Sequence, residues 1–436
     1  MSPENEIKEP VLHVFSQKSV YEAANGQIFT FEEGKPSKDA QDRLKKIRRL
    51  LEEGYFPKLI EECQNPQATT LNLTEEQIVV LEVFGNSITS DAGRAVVGLM
   101  LMQLVIKSLE PIQSIRLHKS NSNGKDFSWK EGLPMRGLDE DYITPVLRDF
   151  DLIRMNKYGI MMTRTLAENY PYTFLYKASI KGVKRHWATI VEWVETDVID
   201  ANQALRYLIG LLLNKTADFK KNAQDLLAKV NTFLLDSFSF QVVLLKIQEF
   251  INKSDYSARV FEIVIHSLFQ VFEELGVIEG HLKPLSQMRS ANKKHGNIGD
   301  IEITITKSSL DIIETWDAKY GKPYLREELE ELNDKLHAHP QTEIAGFITD
   351  IEPNLKDEIR NRVAELSEFH NVKIDILCFT DWVNMQISKY KLQPDTVAKY
   401  WLIAITESLC QYRREIAPID EPTGAWITTL KQVLDS

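Results

Sequence analysis

The chain has 436 residues, 43% hydrophobic and 26% charged, the make-up of a soluble globular protein long enough for two or three cores. Its formal net charge of −11 argues against non-specific nucleic-acid binding by the chain as a whole. No apolar run reaches the roughly 18 residues that a membrane span needs.

The start, "MSPENEIKEP", is polar and acidic and carries no apolar signal core, so secretion by that route is not expected. Cys63, Cys378 and Cys410 stand too far apart for a disulfide framework or a zinc site, which suits reduced thiols in a cytoplasmic protein.

Residues 1–40 read as an irregular or short-strand lead-in. Leu44, Ile47, Leu50 and Leu51 fall at helical spacing, and Gly54 ends the helix they predict. Thr74 with Gln77 makes a capping-box pattern that opens a second helix. "DAGRAVVGLMLMQLVIKSLEP" reads as a third, buried helix closed by Pro111. All three are expected to serve packing.

From Gln113 to Ile190 the balance turns basic, with 13 Lys and Arg against 8 Asp and Glu. A strand-like "SIRL" leads into a polar loop holding Asn121, Asn123, Gly124 and Lys125. "DEDYITPVLRDF" predicts a helix, with Pro145 tolerable only in its first turn. "DLIRMN–KYG–IMMTRT" predicts a hairpin about Gly159. A helix followed by such a hairpin resembles a winged-helix unit; a small α+β packing module is the alternative. On the first reading Lys119, Asn123, Lys125, Arg154, Lys157 and Arg164 are the candidate DNA contacts. "NYPY", Asn169 to Tyr172, is similar to the Asn-Pro-Pro-aromatic loop of amino-group DNA methyltransferases. Tyr170 replaces the first proline, however, and no glycine-rich cofactor loop follows a strand, so that reading is set aside.

Helical patterns dominate residues 191–252. A polar break at Asn252–Ser257 then precedes the order helix, basic loop, strand, strand, helix, strand, strand, helix, which predicts an α/β sheet domain. The expected divisions are therefore 1–112 (helical), 113–190 (winged-helix-like recognition segment), 191–252 (helical linker) and 253–436 (catalytic).

The chemistry concentrates in "GDIEITITKSSLDIIETWDAKYGK", Gly299 to Lys322. Period two places Ile313, Thr315, Asp317 and Lys319 on one face of the second run, and Ile312, Glu314, Trp316 and Ala318 on the other. Asp317 and Lys319 are then neighbours, roughly 6–7 Å apart at the backbone. If the two runs pair, Asp300 comes beside Asp317. Two converging carboxylates repel, and a Mg²⁺ ion bound by hard oxygen ligands is the natural relief. Glu262 lies beside the apolar stripe of the preceding helix, where an ordinary solvated Glu is the rival account. Glu302 shares a face with Asp300 and is a lesser candidate; Glu314 faces away from Lys319.

In Asp300 after a glycine, and in "DAK" from Asp317 to Lys319, the chain resembles the PD-(D/E)xK nuclease superfamily and, within it, the type II restriction endonucleases. The likeness covers about Ser257 to Trp382. It implies a multidomain protein: a helix-rich N-terminal region with a winged-helix-like α+β segment, then a C-terminal α/β catalytic domain of restriction-endonuclease type. It implies Asp300, Asp317 and the backbone carbonyl of Ala318 as Mg²⁺ ligands, Glu262 on a metal or its water shell, and Lys319 orienting the attacking water. The activity implied is double-strand cleavage of DNA leaving 5′-phosphate and 3′-hydroxyl ends. A homodimer and a cognate DNA methyltransferase, linked genetically rather than physically, follow from the same likeness. Arg289, Lys293 and Lys294, in the basic loop before Asp300, are candidate backbone contacts. A repair, mobile-element or structure-specific nuclease, or a non-enzymatic winged-helix regulator, are the alternatives.

Overall fold

Alternation in "KSVYE" turns Ser19 and Tyr21 inward from the middle strand of a small antiparallel sheet. That sheet comprises β1 (Val11–Val14), β2 (Lys18–Glu22) and β3 (Ile28–Glu32), in that order. Tyr21 meets Phe31 and Trp129 in its core. The structure is a computed structural model that describes residues 9–65, 71–89, 91–121, 123, 126–153, 159–178, 180, 182–236, 238–285, 297–412 and 421–436. Its chain divides into two units, Met1–Asp218 and Phe219–Ser436.

In the first unit the helical expectations are met. Helix α1 (Lys38–Glu52) starts where Ser37 Oγ accepts the Ala40 N–H, and Gly54 at φ 82° separates it from α2 (Tyr55–Cys63). The capping box is formed at α3 (Glu75–Asn86): Thr74 Oγ1 accepts the Gln77 N–H at 3.3 Å, and Gln77 Oε1 accepts the Thr74 N–H at 2.9 Å. Helix α4 (Asp91–Leu109) follows.

The segment after α4 departs from expectation. "SIRL" is not a strand, because its carbonyls are taken singly by loop amides, Tyr172 N–H on Arg116 and Leu133 N–H on Leu117. Arg116 is fully buried, its guanidinium on Glu192 at 2.7 Å and above the Tyr21 ring at 5.1 Å. The expected helix is present as α5 (Met135–Leu138), a π-helical stretch Asp139–Ile143 and α6 (Thr144–Asp149). Pro145 lies at the start of α6, and the widened turn just before it accommodates the missing N–H.

The hairpin of the winged-helix reading is not formed among the described residues. Ile160–Met162 and Arg164–Leu166 are 3₁₀ turns, and residues 154–158 lie outside the description. The cause is Asp139, whose carboxylate accepts the Met161 N–H at 2.9 Å and so draws the chain inward. Gly159, at φ 87°, permits it, since a Cβ there would stand 2.4 Å from Asp139 Oδ2. Helix α7 (Lys184–Glu195) and the 35-residue α8 (Ala201–Leu235) complete the helical part.

The division between the units falls inside α8. Residues 219–252 share the core of the second unit: Leu226 of α8 and Phe240, Ile247 and Phe250 of α9 (Phe240–Lys253) join Phe261 and Phe269 of α10 (Ser257–Glu274). The expected boundary at 252/253 therefore lies within this unit.

Five strands form its sheet, in the order β4 (His281–Leu282), β5 (Ile301–Thr304), β6 (Ile312–Lys319), β7 (Ile344–Thr349), β8 (Lys373–Cys378). β4, β5 and β6 pair antiparallel; β6, β7 and β8 are parallel. Helix α11 (Arg326–Ala338) connects β6 to β7. The expected strand–strand step after it contains a further helix, α12 (Asp357–His370), because parallel neighbours need a crossover. Helices α13 (Phe379–Lys389), α14 (Pro394–Glu407) and α15 (Thr423–Asp435) end the chain.

On one face Ile301, Ile303, Trp316 and Ile348 pack under α10 and α13, with Trp401 of α14 and Trp426 of α15 in the same core. On the other, Ala345, Phe347, Ile374 and Ile376 meet Leu329, Leu332 and Ile359 of α11 and α12. A register shift between Ile303 and Thr304 skips Ile313, so Ile312 joins this second cluster rather than sharing a face with Trp316 as simple alternation predicts.

Candidate active site

The turn before β5 lies close against β6. A Cβ on Gly299 would stand 2.6 Å from Thr315 Oγ1 and 2.8 Å from the Trp316 carbonyl oxygen, so only glycine fits. Asp300 follows. The antiparallel register Ile301↔Trp316 sets Asp300 opposite Asp317, and Asp300 Oδ2 accepts the Ala318 N–H at 3.0 Å. Lys319 Nζ lies 2.8 Å from Asp317 Oδ2, with the two side chains 20% and 13% exposed. The strand pattern thus brings together Asp300, Asp317, Ala318 and Lys319, as expected.

Glu262 reaches the same field from α10. Burial pushes its carboxyl up, Arg259 opposes this, and the charge of Asp317 adds to it. Asp300 is held well above the usual carboxylate range, first by burial, then by the charges of Asp317 and Glu262; Lys319 offsets only part. Lys319 is raised: burial works against its charge, and Asp317 and Asp300 more than compensate. Asp317 and Glu262 thus oppose the charge of Asp300, and the three carboxylates are oxygen donors that could hold a hard cation beside Lys319.

Two residues not anticipated from sequence support Glu262. Arg259, one helical turn earlier, ion-pairs with Glu262, and its Nε donates to Glu421 Oε1 at 2.8 Å. The i, i+3 spacing of Arg259 and Glu262 is readable in the sequence; Glu421, 162 residues from Arg259, has no local signal. Of the lesser candidates, Glu314 is engaged elsewhere, by Lys389 Nζ at 3.0 Å and Trp316 Nε1 at 2.8 Å. Glu302 is turned into the protein and bonded to the turn before Asp300, which removes it from the ligand set.

Of the DNA-contact candidates, three are among the described residues. Lys119 Nζ is held by Asn169 Oδ1 at 2.5 Å, and burial lowers its pKa. Asn123 is exposed and donates its backbone N–H to Asn121 Oδ1; Arg164 is exposed on a 3₁₀ turn. Lys125, Arg154, Lys157, Arg289, Lys293 and Lys294 lie outside the described residues.

One further group of metal-type ligands, Glu352, Cys378 and Asp381, has its donor atoms within 4.8 Å of one another. Its sulfur donor does not suit Mg²⁺, which prefers oxygen. No protein-family model matches the chain, and no curated protein matches it in sequence.

Proposed function

We propose that this chain is a Mg²⁺-dependent type II restriction endonuclease of the PD-(D/E)xK kind, cutting both strands of DNA at a specific sequence and leaving 5′-phosphate and 3′-hydroxyl ends. The observation that carries the reading is the pairing of Asp300 with Asp317 across β5 and β6, with Lys319 at 2.8 Å from the second carboxylate.

The donor set fits the ion. Asp300 and Asp317 supply hard oxygens, and the mutual repulsion that raises Asp300 is what a cation relieves. Asp300, Asp317 and the Ala318 carbonyl would hold Mg²⁺, with Glu262 on the ion or its water shell. When bound, the ion offsets negative charge developing on the phosphate. Lys319, fixed by Asp317, orients the attacking water and meets phosphate charge with its remaining N–H donors. Water oxygen bonds to phosphorus as the P–O3′ bond breaks, giving the two ends named.

A homodimer brings one such centre to each antiparallel strand. Recognition by a winged helix is not part of this proposal, since its hairpin is not formed among the described residues. The test is incubation with plasmid DNA and Mg²⁺. Discrete fragments support the reading, as would a neighbouring methyltransferase gene. Smears or junction-only cuts point to a repair-type nuclease, and no cleavage of any DNA under Mg²⁺ or Mn²⁺ sinks it.

A further inference from the structure

Asp300 stands outside any helix and just before the first residue of β5, so neither ladder nor helix fixes the turn that presents it. Something else must. Glu302, two residues on and 2% exposed, points its carboxylate back along the chain. Its Oε1 accepts the Ile298 N–H at 2.6 Å and, more loosely, the Gly299 N–H at 3.4 Å. Its Oε2 accepts Lys283 Nζ at 2.5 Å. From α11, Lys335 Nζ donates to the Ile298 carbonyl at 2.8 Å. The turn is thereby held through both its amides and its carbonyl, while Gly299 lets it lie against β6.

We infer that Glu302 is a positioning residue, the clamp that sets Asp300 opposite Asp317, with Lys335 as its second anchor. The inference rests on the nuclease reading of Asp300 and goes beyond it by assigning a role to a carboxylate that does not touch the metal or the phosphate. At the two amides the clamp needs only an oxygen acceptor of the right reach, which a glutamine Oε1 offers, whereas toward Lys283 a glutamine would present its NH₂ in place of the carboxylate oxygen. A metal ligand or general base would not be replaced so easily.

The experiment compares the full chain with Glu302→Ala, Glu302→Gln and Lys335→Met on plasmid DNA, reading kcat, KM, Mg²⁺ dependence and thermal melting. Glu302→Ala is expected to lower kcat about 100-fold with KM for DNA within about twofold, the cost of a misplaced group. Glu302→Gln should recover kcat to within about tenfold of the unmodified chain, and Lys335→Met should lose about tenfold. If Glu302→Ala does not fold, the Gln and Met variants carry the test. A folded Glu302→Gln as inactive as a Lys319 variant would make the charge essential and overturn the clamp. A fully active Glu302→Ala, or a folded Lys335→Met with unchanged kcat, would overturn it too. Failure of the unmodified chain to cleave any DNA would instead strike the nuclease reading itself, and this inference with it.

Discussion

Asp139 in the first unit and Asp300 in the second are both shielded aspartates whose carboxyls burial pushes up, yet their surroundings differ in kind. Asp139 is enclosed by donors: Thr144 Oγ1 at 2.7 Å, the Met161 N–H at 2.9 Å and the Ile160 N–H all favour its charge. Asp300 has the Ala318 N–H, but its other neighbours include Asp317 and Glu262, which oppose its charge. A carboxylate ringed by donors is finished and serves the fold. One set among other carboxylates keeps a repulsion that the proposed Mg²⁺ would relieve.

The largest effect that would sharpen this contrast lies beside Asp300. Lys319→Ala should reduce cleavage by about 10³-fold or more, while electrophoretic mobility shifts without Mg²⁺ show nearly unchanged DNA binding. Unimpaired cleavage by that variant would take Lys319 out of the site.

Substituting the two aspartates should move stability in opposite directions. Asp139→Asn turns an NH₂ toward N–H donors and is expected to cost about 1–3 kcal/mol in denaturant unfolding. Asp300→Asn removes repulsion and should raise the melting temperature of the metal-free chain by a few degrees, on the order of 1 kcal/mol, while abolishing stabilisation by Mg²⁺. A pH series adds a sign. Because Asp300 is raised in the folded chain, the folded state keeps a proton that the unfolded chain releases. Its contribution to stability therefore falls as pH rises past the ordinary carboxylate range, and Asp300→Asn should remove that slope. Equal destabilisation by both Asn variants would erase the distinction.

Gly299→Ala probes the same turn from outside the charge network. The atoms it would meet include the Trp316 backbone oxygen, which cannot rotate away, so a loss of about 1–3 kcal/mol and a lower kcat are expected.

An effect confined to acid pH belongs to the first unit. His118 is buried against Tyr172, with ring centroids 4.3 Å apart, and burial pulls its pKa down to about 3. Unfolded, it binds a proton near the usual imidazole value, so its contribution to stability is whole above that pH and is lost as pH falls toward about 3. The slope is at most about 1.4 kcal/mol per pH unit, and His118→Phe should flatten it in chemical denaturation between pH 4 and 6 (roughly the window of the shift).

Much of the candidate site was legible in advance because strand alternation and two-residue spacing are local properties. Asp317 and Lys319 share a face whatever the rest of the chain does, and Gly54, Thr74 and Gln77 punctuate helices through bonds to near neighbours. The second run of the expected hairpin, residues 160–166, is turn rather than strand among the described residues for the opposite reason. The run "IMMTRT" can be strand or turn, and Asp139, 22 residues from Met161, decides for the turn.

What the sequence by itself determined, then, is the set of local signals: the helix caps, the period-two faces of β6 and the acid–lysine pair on it. Only the tertiary structure decided the register that lays Asp300 against Asp317, the bulge that moves Ile312 to the other face, and the pairing of Arg259 with Glu421. It also turned Glu302 inward. Local signals depend on φ, ψ and side-chain spacing over a few residues. Register, bulge and buried ion pairs depend on which distant groups must be satisfied once water is excluded, and that is settled only when the whole core closes.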